Sequence, residues 1–172
     1  MWFHRSMKIM LLALVGIGGL YAQKVTVEFD ESVDFGKYKT FAIREGRLNS
    51  RNPTLNSELV KKRIERDIER YLTAKGLTSV SGRTDLNVWY TLGSTRKVET
   101  EAYPAGWRGL RTRVVRTPYA EGTLVIDLRD PTTRSLVWRA VATEEKKDVS
   151  KLEGKLDDMV KKSIDKYPPK AK

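Results

Sequence analysis

The chain has 172 residues with no cysteine and one histidine, and its 33 Lys and Arg against 22 Asp and Glu give a formal net charge of +11. That length suits one domain with a sizeable core, and 40% hydrophobic with 32% charged residues is a globular composition. Without cysteine there is no disulfide, thiol nucleophile or sulfur ligand for zinc, and the sole histidine, His4, precedes an apolar run of export type.

Arg5 and Lys8 lead into residues 9–22, IMLLALVGIGGLYA, an uncharged run of 14 residues. A helix needs roughly 20 residues to span a bilayer. A basic start, a short apolar stretch and small Ala22 before Gln23 therefore read as a signal peptide over residues 1–22. Leu20 is larger than the small residue usual at that place, and an uncleaved anchor is the alternative. Translation can begin at Met1 or at Met7, since Met7-Lys8 also opens a compact signal. Lipid attachment in a bacterial lipoprotein needs a cysteine directly after the apolar run, and Gln23 stands there instead. The expectation is an exported protein of the periplasm or cell envelope, soluble after cleavage. Loss of Arg5 and Lys8 lowers the net charge from +11 to +9 and leaves no histidine for Ser-His-Asp chemistry or metal ligation.

Val25-Thr26-Val27-Glu28-Phe29-Asp30 alternates apolar and polar and reads as a strand. Residues 38–43 (YKTFAI) read as a second, after a turn at Asp34 and Gly36. A polar loop over residues 46–52 leads to Pro53, a first-turn residue with Asn52 or Asn56 as cap. Leu55, Leu59, Val60, Ile64, Ile68, Tyr71 and Leu72 then recur at three and four residues, and Lys61, Lys62, Arg63, Glu65, Arg66, Asp67, Glu69 and Arg70 fill the other face. This predicts an amphipathic helix of about five turns, closed by Gly76 with Leu77 completing a Schellman contact.

Leu86, Val88, Tyr90 and Leu92 share one face of the next strand, opposite Asn87, Trp89 and Thr91, and that strand can continue into residues 96–101. Leu124, Ile126 and Leu128 then lie opposite Val125, Asp127 and Arg129. Asp130-Pro131-Thr132-Thr133 is a turn, and the return strand sets Leu136, Trp138 and Ala140 against Val137, Arg139 and Val141. Ser150-Lys151-Leu152-Glu153 has the capping-box spacing. It opens a helix with Leu152, Leu156, Met159, Val160, Ile164 and Tyr167 inward, and Asp157–Lys161 and Asp158–Lys162 are spaced for pairing. Pro168-Pro169 stops it. Residues 23–172 thus form a single α+β domain. The expected fold is a two-layer sandwich, an antiparallel sheet of about five strands with two amphipathic helices on one face.

The same residues resemble a family of exported bacterial proteins known as domain of unknown function 4136, many of them assigned as envelope lipoproteins. Asp34-Phe35-Gly36-Lys37-Tyr38-Lys39-Thr40-Phe41-Ala42 is similar to the family's opening. Ala74-Lys75-Gly76-Leu77 and Asp85-Leu86-Asn87-Val88 are similar to its helix end and third strand. Gly122-Thr123-Leu124-Val125-Ile126-Asp127, Asp130 and Leu136-Val137-Trp138-Arg139-Ala140 resemble its C-terminal hairpin, and Tyr167-Pro168-Pro169 its close. The chain departs from the pattern in lacking a lipid-attachment cysteine, in having Ile43 where Trp is common, and in an Arg-rich stretch where Gly and aromatics are common. The resemblance implies no catalytic residues.

Carboxylates, Lys, Tyr and hydroxyls are the groups left for chemistry. Asp127 reads as a solvent-facing group or a partner of Arg139, Asp130 as a turn residue, and Glu144-Glu145-Lys146-Lys147 as exposed charge. A periplasmic hydrolase or transferase relying on carboxylates is the alternative to a non-enzymatic binding or structural module. No cofactor, metal site or phosphate-cradling loop is expected. The remaining feature is the stretch 103–119, with Trp107, Arg108, Arg111, Arg113 and Arg116, no acid, and Tyr103 and Tyr119 near its ends. As a strand it places Arg111, Arg113, Val115 and Thr117 on one face and Arg116 on the other. Planar guanidinium groups suit phosphates and amphipathic aromatics suit a membrane interface. The expected partner is an anionic lipid or lipopolysaccharide surface, or an envelope protein, rather than nucleic acid. The plainer reading is a solubilising cationic ribbon.

Overall fold

A computed structural model describes residues 23–105 and 111–169. The proposed signal peptide, Trp107 and Arg108 lie outside the described residues. In chain order the elements are β1 (Lys24–Phe29), a 3-10 turn (Phe35–Lys37), β2 (Thr40–Asn49), α1 (Glu58–Ala74), β3 (Thr78–Ser79), β4 (Leu86–Ala105), β5 (Arg111–Arg129), β6 (Leu136–Lys146), α2 (Ser150–Glu153) and α3 (Leu156–Ile164). One six-stranded sheet carries them in the order β1-β6-β5-β4-β2-β3.

The α+β class holds, but the sheet is mixed rather than antiparallel. β2 runs parallel to both β3 and β4, while β1–β6, β6–β5 and β5–β4 are antiparallel. The reason lies in α1. A helix between two strands returns the chain to the end it started from, so the strands on either side of it run in the same direction. The sheet has six strands rather than about five, and the described helices number three rather than two.

The inner face follows the alternation. Leu86, Val88, Tyr90 and Leu92 of β4 lie beside Leu124, Ile126 and Leu128 of β5 and Trp138, Ala140 and Ala142 of β6, all buried. Val60, Ile64, Ile68 and Leu72 of α1 and Leu156, Met159, Val160 and Ile164 of α3 join them in a single core, and α1 packs against α3. Gly46 of β2 stands opposite Tyr90. The Tyr90 ring occupies the space where a Cβ on Gly46 would sit, and its hydroxyl reaches Glu65 Oε1 at 3.1 Å and the Lys61 carbonyl at 3.4 Å. The missing side chain lets one residue tie β2, β4 and α1 together.

The ends of α1 depart from the periodicity. Ser57 is the cap, accepting the Val60 N–H at 3.3 Å, and residues 52–56 form a turn that buries Leu55. Leu59 is 77% exposed, because it stands one position away from the stripe of Val60, Ile64, Ile68 and Leu72. Asp67, three residues after Ile64, is turned inward and fully buried; its Oδ1 accepts from Arg66 at 3.1 Å and lies 3.6 Å from Arg70. The C-terminus is as the sequence indicates. Gly76 takes φ +90°, and the Gly76 and Leu77 N–H groups donate to the Thr73 and Leu72 carbonyls in a Schellman motif.

The last helical stretch is two helices, broken at Gly154 and Lys155. The Ser150 hydroxyl does not cap. Asp148 accepts the Ser150 N–H at 3.0 Å, and Glu153 turns to Arg63 of α1 at 3.1 Å. Asp157 likewise pairs with Arg70 and the Tyr71 hydroxyl rather than with Lys161, which takes Asp165 at 2.6 Å. The Asp158–Lys162 pair forms at 2.9 Å. Contact between α1 and α3 redirects the acids that face the neighbouring helix.

Ile64→Ala and Leu156→Ala should each cost about 2–5 kcal/mol, the usual range for emptying a core site. Lys62→Ala and Leu59→Ala should each change stability by less than about 0.5 kcal/mol, as surface changes do. Gly46→Ala should be severely destabilising, because the new Cβ meets the Tyr90 ring. Urea unfolding midpoints decide this, and equal effects at Leu59 and Ile64 would show the helix faces to be misassigned.

Candidate functional site: the outer sheet face and the β4–β5 ribbon

On the face opposite the core, strand register aligns Glu45, Trp89, Asp127, Arg139 and Glu28 across β2, β4, β5, β6 and β1. Arg139 grips Asp127 through two parallel bonds, Nε to Oδ1 at 2.6 Å and Nη2 to Oδ2 at 2.7 Å, and Arg129 approaches the same carboxylate at 3.7 Å. Trp89, beside it on β4, is 36% exposed. The Asn87 carbonyl accepts from Arg44 at 2.8 Å and from the Thr84 hydroxyl at 3.2 Å. Glu45, Asn87, Trp89, Asp127 and Arg129, with Arg47, Arg134 and the β5–β6 turn, bound an open concavity of about 580 Å³.

Asp130 closes that turn. Its carboxylate accepts the N–H groups of Thr132 at 2.8 Å and Thr133 at 3.3 Å and the Tyr38 hydroxyl at 3.2 Å, and Lys37 lies 3.6 Å away. Arg134 completes the turn with φ 59°. Burial pushes the Asp130 carboxyl up, but the donors from Thr132, Thr133 and Tyr38 and the Lys37 charge outweigh it and hold it below the ordinary range. The Tyr38 phenol is pushed up to about 12, by burial first and then by the Asp130 charge. Asp85 is held low by the Lys39 N–H, then by the Thr40 hydroxyl and N–H, each at 2.9 Å.

Three of the carboxylates that the sequence offers for chemistry, Asp127, Asp130 and Glu144, are engaged. Of the two readings open for Asp127, the pair with Arg139 forms and the solvent-facing one does not, since Asp127 is buried. Asp130 is the expected turn residue. Glu144, read as exposed, is buried on the inner face and paired with Lys146. The alternation of Trp138, Ala140 and Ala142 carries through to residue 144 and overrides its charge. A general acid needs a carboxyl raised toward neutrality, whereas Asp85 and Asp130 are shifted the other way. Among the described residues no group of three or more His, Cys, Asp or Glu could hold a metal ion.

The described residues of the Arg-rich segment, 103–105 and 111–119, are strand. β4 runs on through Arg96–Glu101 as expected and pairs with β5 from Asn87–Arg129 out to Ala105–Arg111. β2 ends at Asn49 opposite Gly93, and β6 at Lys146 opposite Ala120, so beyond these pairs β4 and β5 form a two-stranded ribbon with both edges unpaired. One ribbon face carries Arg111 and Arg113, with Glu99, Glu101 and Tyr103 drawn beside them from β4, and the Tyr103 hydroxyl donates to Glu101. The other face carries Arg96 and Arg116 with Val98, Ala102, Pro104, Val114 and Pro118. Val98 is 57% and Val114 55% exposed. The arginines are therefore divided between two faces, and strand pairing brings acids to the face that the segment 103–119 alone leaves free of them.

The family model described as "Domain of unknown function (DUF4136)" matches residues 25–169. A comparison with curated proteins returned no match. Among solved structures, a PDZ domain protein from Parabacteroides distasonis is similar, with a TM-score of 0.59 and 21% identity over 86% of this chain. This chain spans 35% of the length of that one. A DUF4136 family protein from Bacteroides thetaiotaomicron is similar, with a TM-score of 0.52 and 14% identity over 85% of this chain and 96% of its own. At these identities the likeness is one of fold. No helix among the described residues is long and apolar enough to cross a membrane.

Because Asp85 and Asp130 are lowered in the folded state, each stabilises the fold above the unfolded carboxylate value of about 4, and that contribution is lost as the pH falls through the folded value. Asp85→Asn and Asp130→Asn should be less stable than the parent near neutral pH, and should lose less on acidification. Thermal unfolding between about pH 6 and 2 measures both effects. Variant and parent curves that stay parallel throughout would show that these carboxylates are not held by the donors described.

Proposed function

The chain belongs to the DUF4136 family, and we propose that it is an exported, non-enzymatic binding module of the cell envelope whose β4–β5 ribbon docks on an anionic lipid surface. The observation that carries the reading is the ribbon face of Val98, Val114 and Pro118 beside Arg96 and Arg116, exposed and without an acid among its described residues. On a membrane the valines enter the headgroup boundary while the guanidinium groups meet phosphates. Arg111 and Arg113 add long-range attraction from the opposite face. A basic residue near an anionic surface contributes on the order of 1 kcal/mol, so a handful of them gives weak, reversible attachment. A two-stranded ribbon adds little stability to a fold by itself, which favours a role outside folding. The engaged carboxylates favour binding over catalysis, and residues 1–22 supply the export reading.

Co-sedimentation with phosphatidylglycerol vesicles should show binding that fades between 0.1 and 1 M salt, where the screening length falls from about 10 to about 3 Å. Phosphatidylcholine vesicles should bind little. Vesicles doped with lipopolysaccharide separate the two sources of anionic headgroup. Replacing Arg108, Arg111, Arg113 and Arg116 with Gln should abolish binding while leaving thermal stability unchanged. A quadruple variant that binds like the parent would reduce the segment to a solubilising ribbon. Mass measurement of the exported protein should give a chain starting at Gln23, and recovery of the uncut chain from membranes would refute cleavage.

A further inference from the structure

The outer-face concavity is separate from the ribbon, and its chemistry differs. Arg47, Arg129 and Arg134 are balanced there by Glu45, Asp127 and Asp130, so the site has no excess charge with which to attract an ion. Trp89 lines it and is partly exposed there. The polar groups around Trp89 are planar and held in place. Asp127 is clamped by Arg139 through both oxygens, and Asp130 is fixed by Thr132, Thr133 and Tyr38. The Asn87 carbonyl is occupied by Arg44 and Thr84, which leaves the amide N–H groups as its donors to the site.

We propose that this concavity binds a neutral oligosaccharide, with one sugar ring stacked by its C–H face on Trp89 and its hydroxyls bonded to Asn87, Asp127 and Arg129. A sugar needs this combination. Its axial hydrogens present an apolar face that suits an aromatic ring, and its neighbouring hydroxyls suit planar side chains that donate or accept two bonds in one plane. Groups locked before the ligand arrives lose little entropy on binding. The volume lies within the range of small-ligand sites, about 300–1,000 Å³, and a site open to solvent suits a chain passing across the sheet better than an enclosed single ring. The inference does not depend on the ribbon's reading as a lipid contact.

The test is an NMR titration of the 15N-labelled protein with maltotetraose, cellotetraose and chitotetraose, each to about 10 mM, which captures affinities in the mM range. The expected result is saturable movement of the Trp89 indole N–H and the Asn87 side-chain amide with at least one of them. Trp89→Ala should weaken that binding by about tenfold or more, and Trp89→Phe by less. Should Trp89→Ala fail to fold, Asn87→Ala carries the same test, with loss of affinity expected. The variant with Gln in place of the four ribbon arginines should bind the sugar like the parent, so that failure of the lipid reading leaves this result untouched. Absence of movement at Trp89 with all three sugars overturns the proposal. So does a folded Trp89→Ala that binds as tightly as the parent, and so do shifts confined to the ribbon.

Discussion

The pairing of β4 with β5 sets the position of almost every other part of the molecule. The two strands run together without a break from the covered sheet into the free ribbon. Side chains alternate with a period of two, so a single register decides the faces of both regions. A slip of one residue would turn Leu86, Val88, Tyr90 and Leu92 outward and press Trp89 and Asp127 beneath the helices. In the body the correct register is enforced by burial. In the ribbon the same alternation continues with no helix above it, so the apolar face of Val98 and Val114 is the core face carried past its cover. The concavity and the ribbon are thus two outcomes of one strand pair.

The family motifs take on a physical meaning when placed in the fold. Phe35 stacks edge-on against Phe29, Tyr38 and Tyr167, with ring centroids 5.9–6.2 Å apart, and Tyr167 meets Trp138 at 5.8 Å. Tyr38 reaches Asp130 and Thr40 reaches Asp85. The opening motif, the hairpin and the closing Tyr167-Pro168-Pro169 therefore meet at one end of the sheet. They hold the chain's two ends to its middle. Such motifs identify a fold and leave its chemistry open.

That division marks what could be read beforehand. Inner and outer residues of β4 and β5, the Gly76 helix end and the Asp127–Arg139 pair were legible, because each depends on period or on the partner across a short hairpin. At the start of β6 the register shift beside Arg129 breaks the alternation, and Val137, assigned outward, is buried in the core while Leu136 is only half-buried. The parallel pairing of β2 was not, since it depends on where α1 returns the chain. Asp67 and Glu144 were misread as exposed for a related reason. Their charge suggests solvent, while their spacing from Ile64 and Ala142 places them inside. The division of the arginines between two faces followed from alternation alone, but the arrival of Glu99 and Glu101 beside Arg111 and Arg113 required knowledge of the partner strand. The concavity was hidden for the same reason, as its walls come from β2, β4, β5 and a turn.

β1 has a further consequence through its place in the sheet. It is the first described strand of the chain, yet its sheet partner is β6, with Lys24 opposite Thr143 and Phe29 opposite Trp138. Closing that contact spans most of the domain, and such distant pairings are slow to form because the intervening chain must first be gathered. During synthesis β1 emerges early and finds no sheet partner until β6 has followed. The sheet cannot be assembled strand by strand from its first residue. The β4–β5 and β5–β6 pairings each close a short connection, whereas β1 has no sheet partner until β6 is in place.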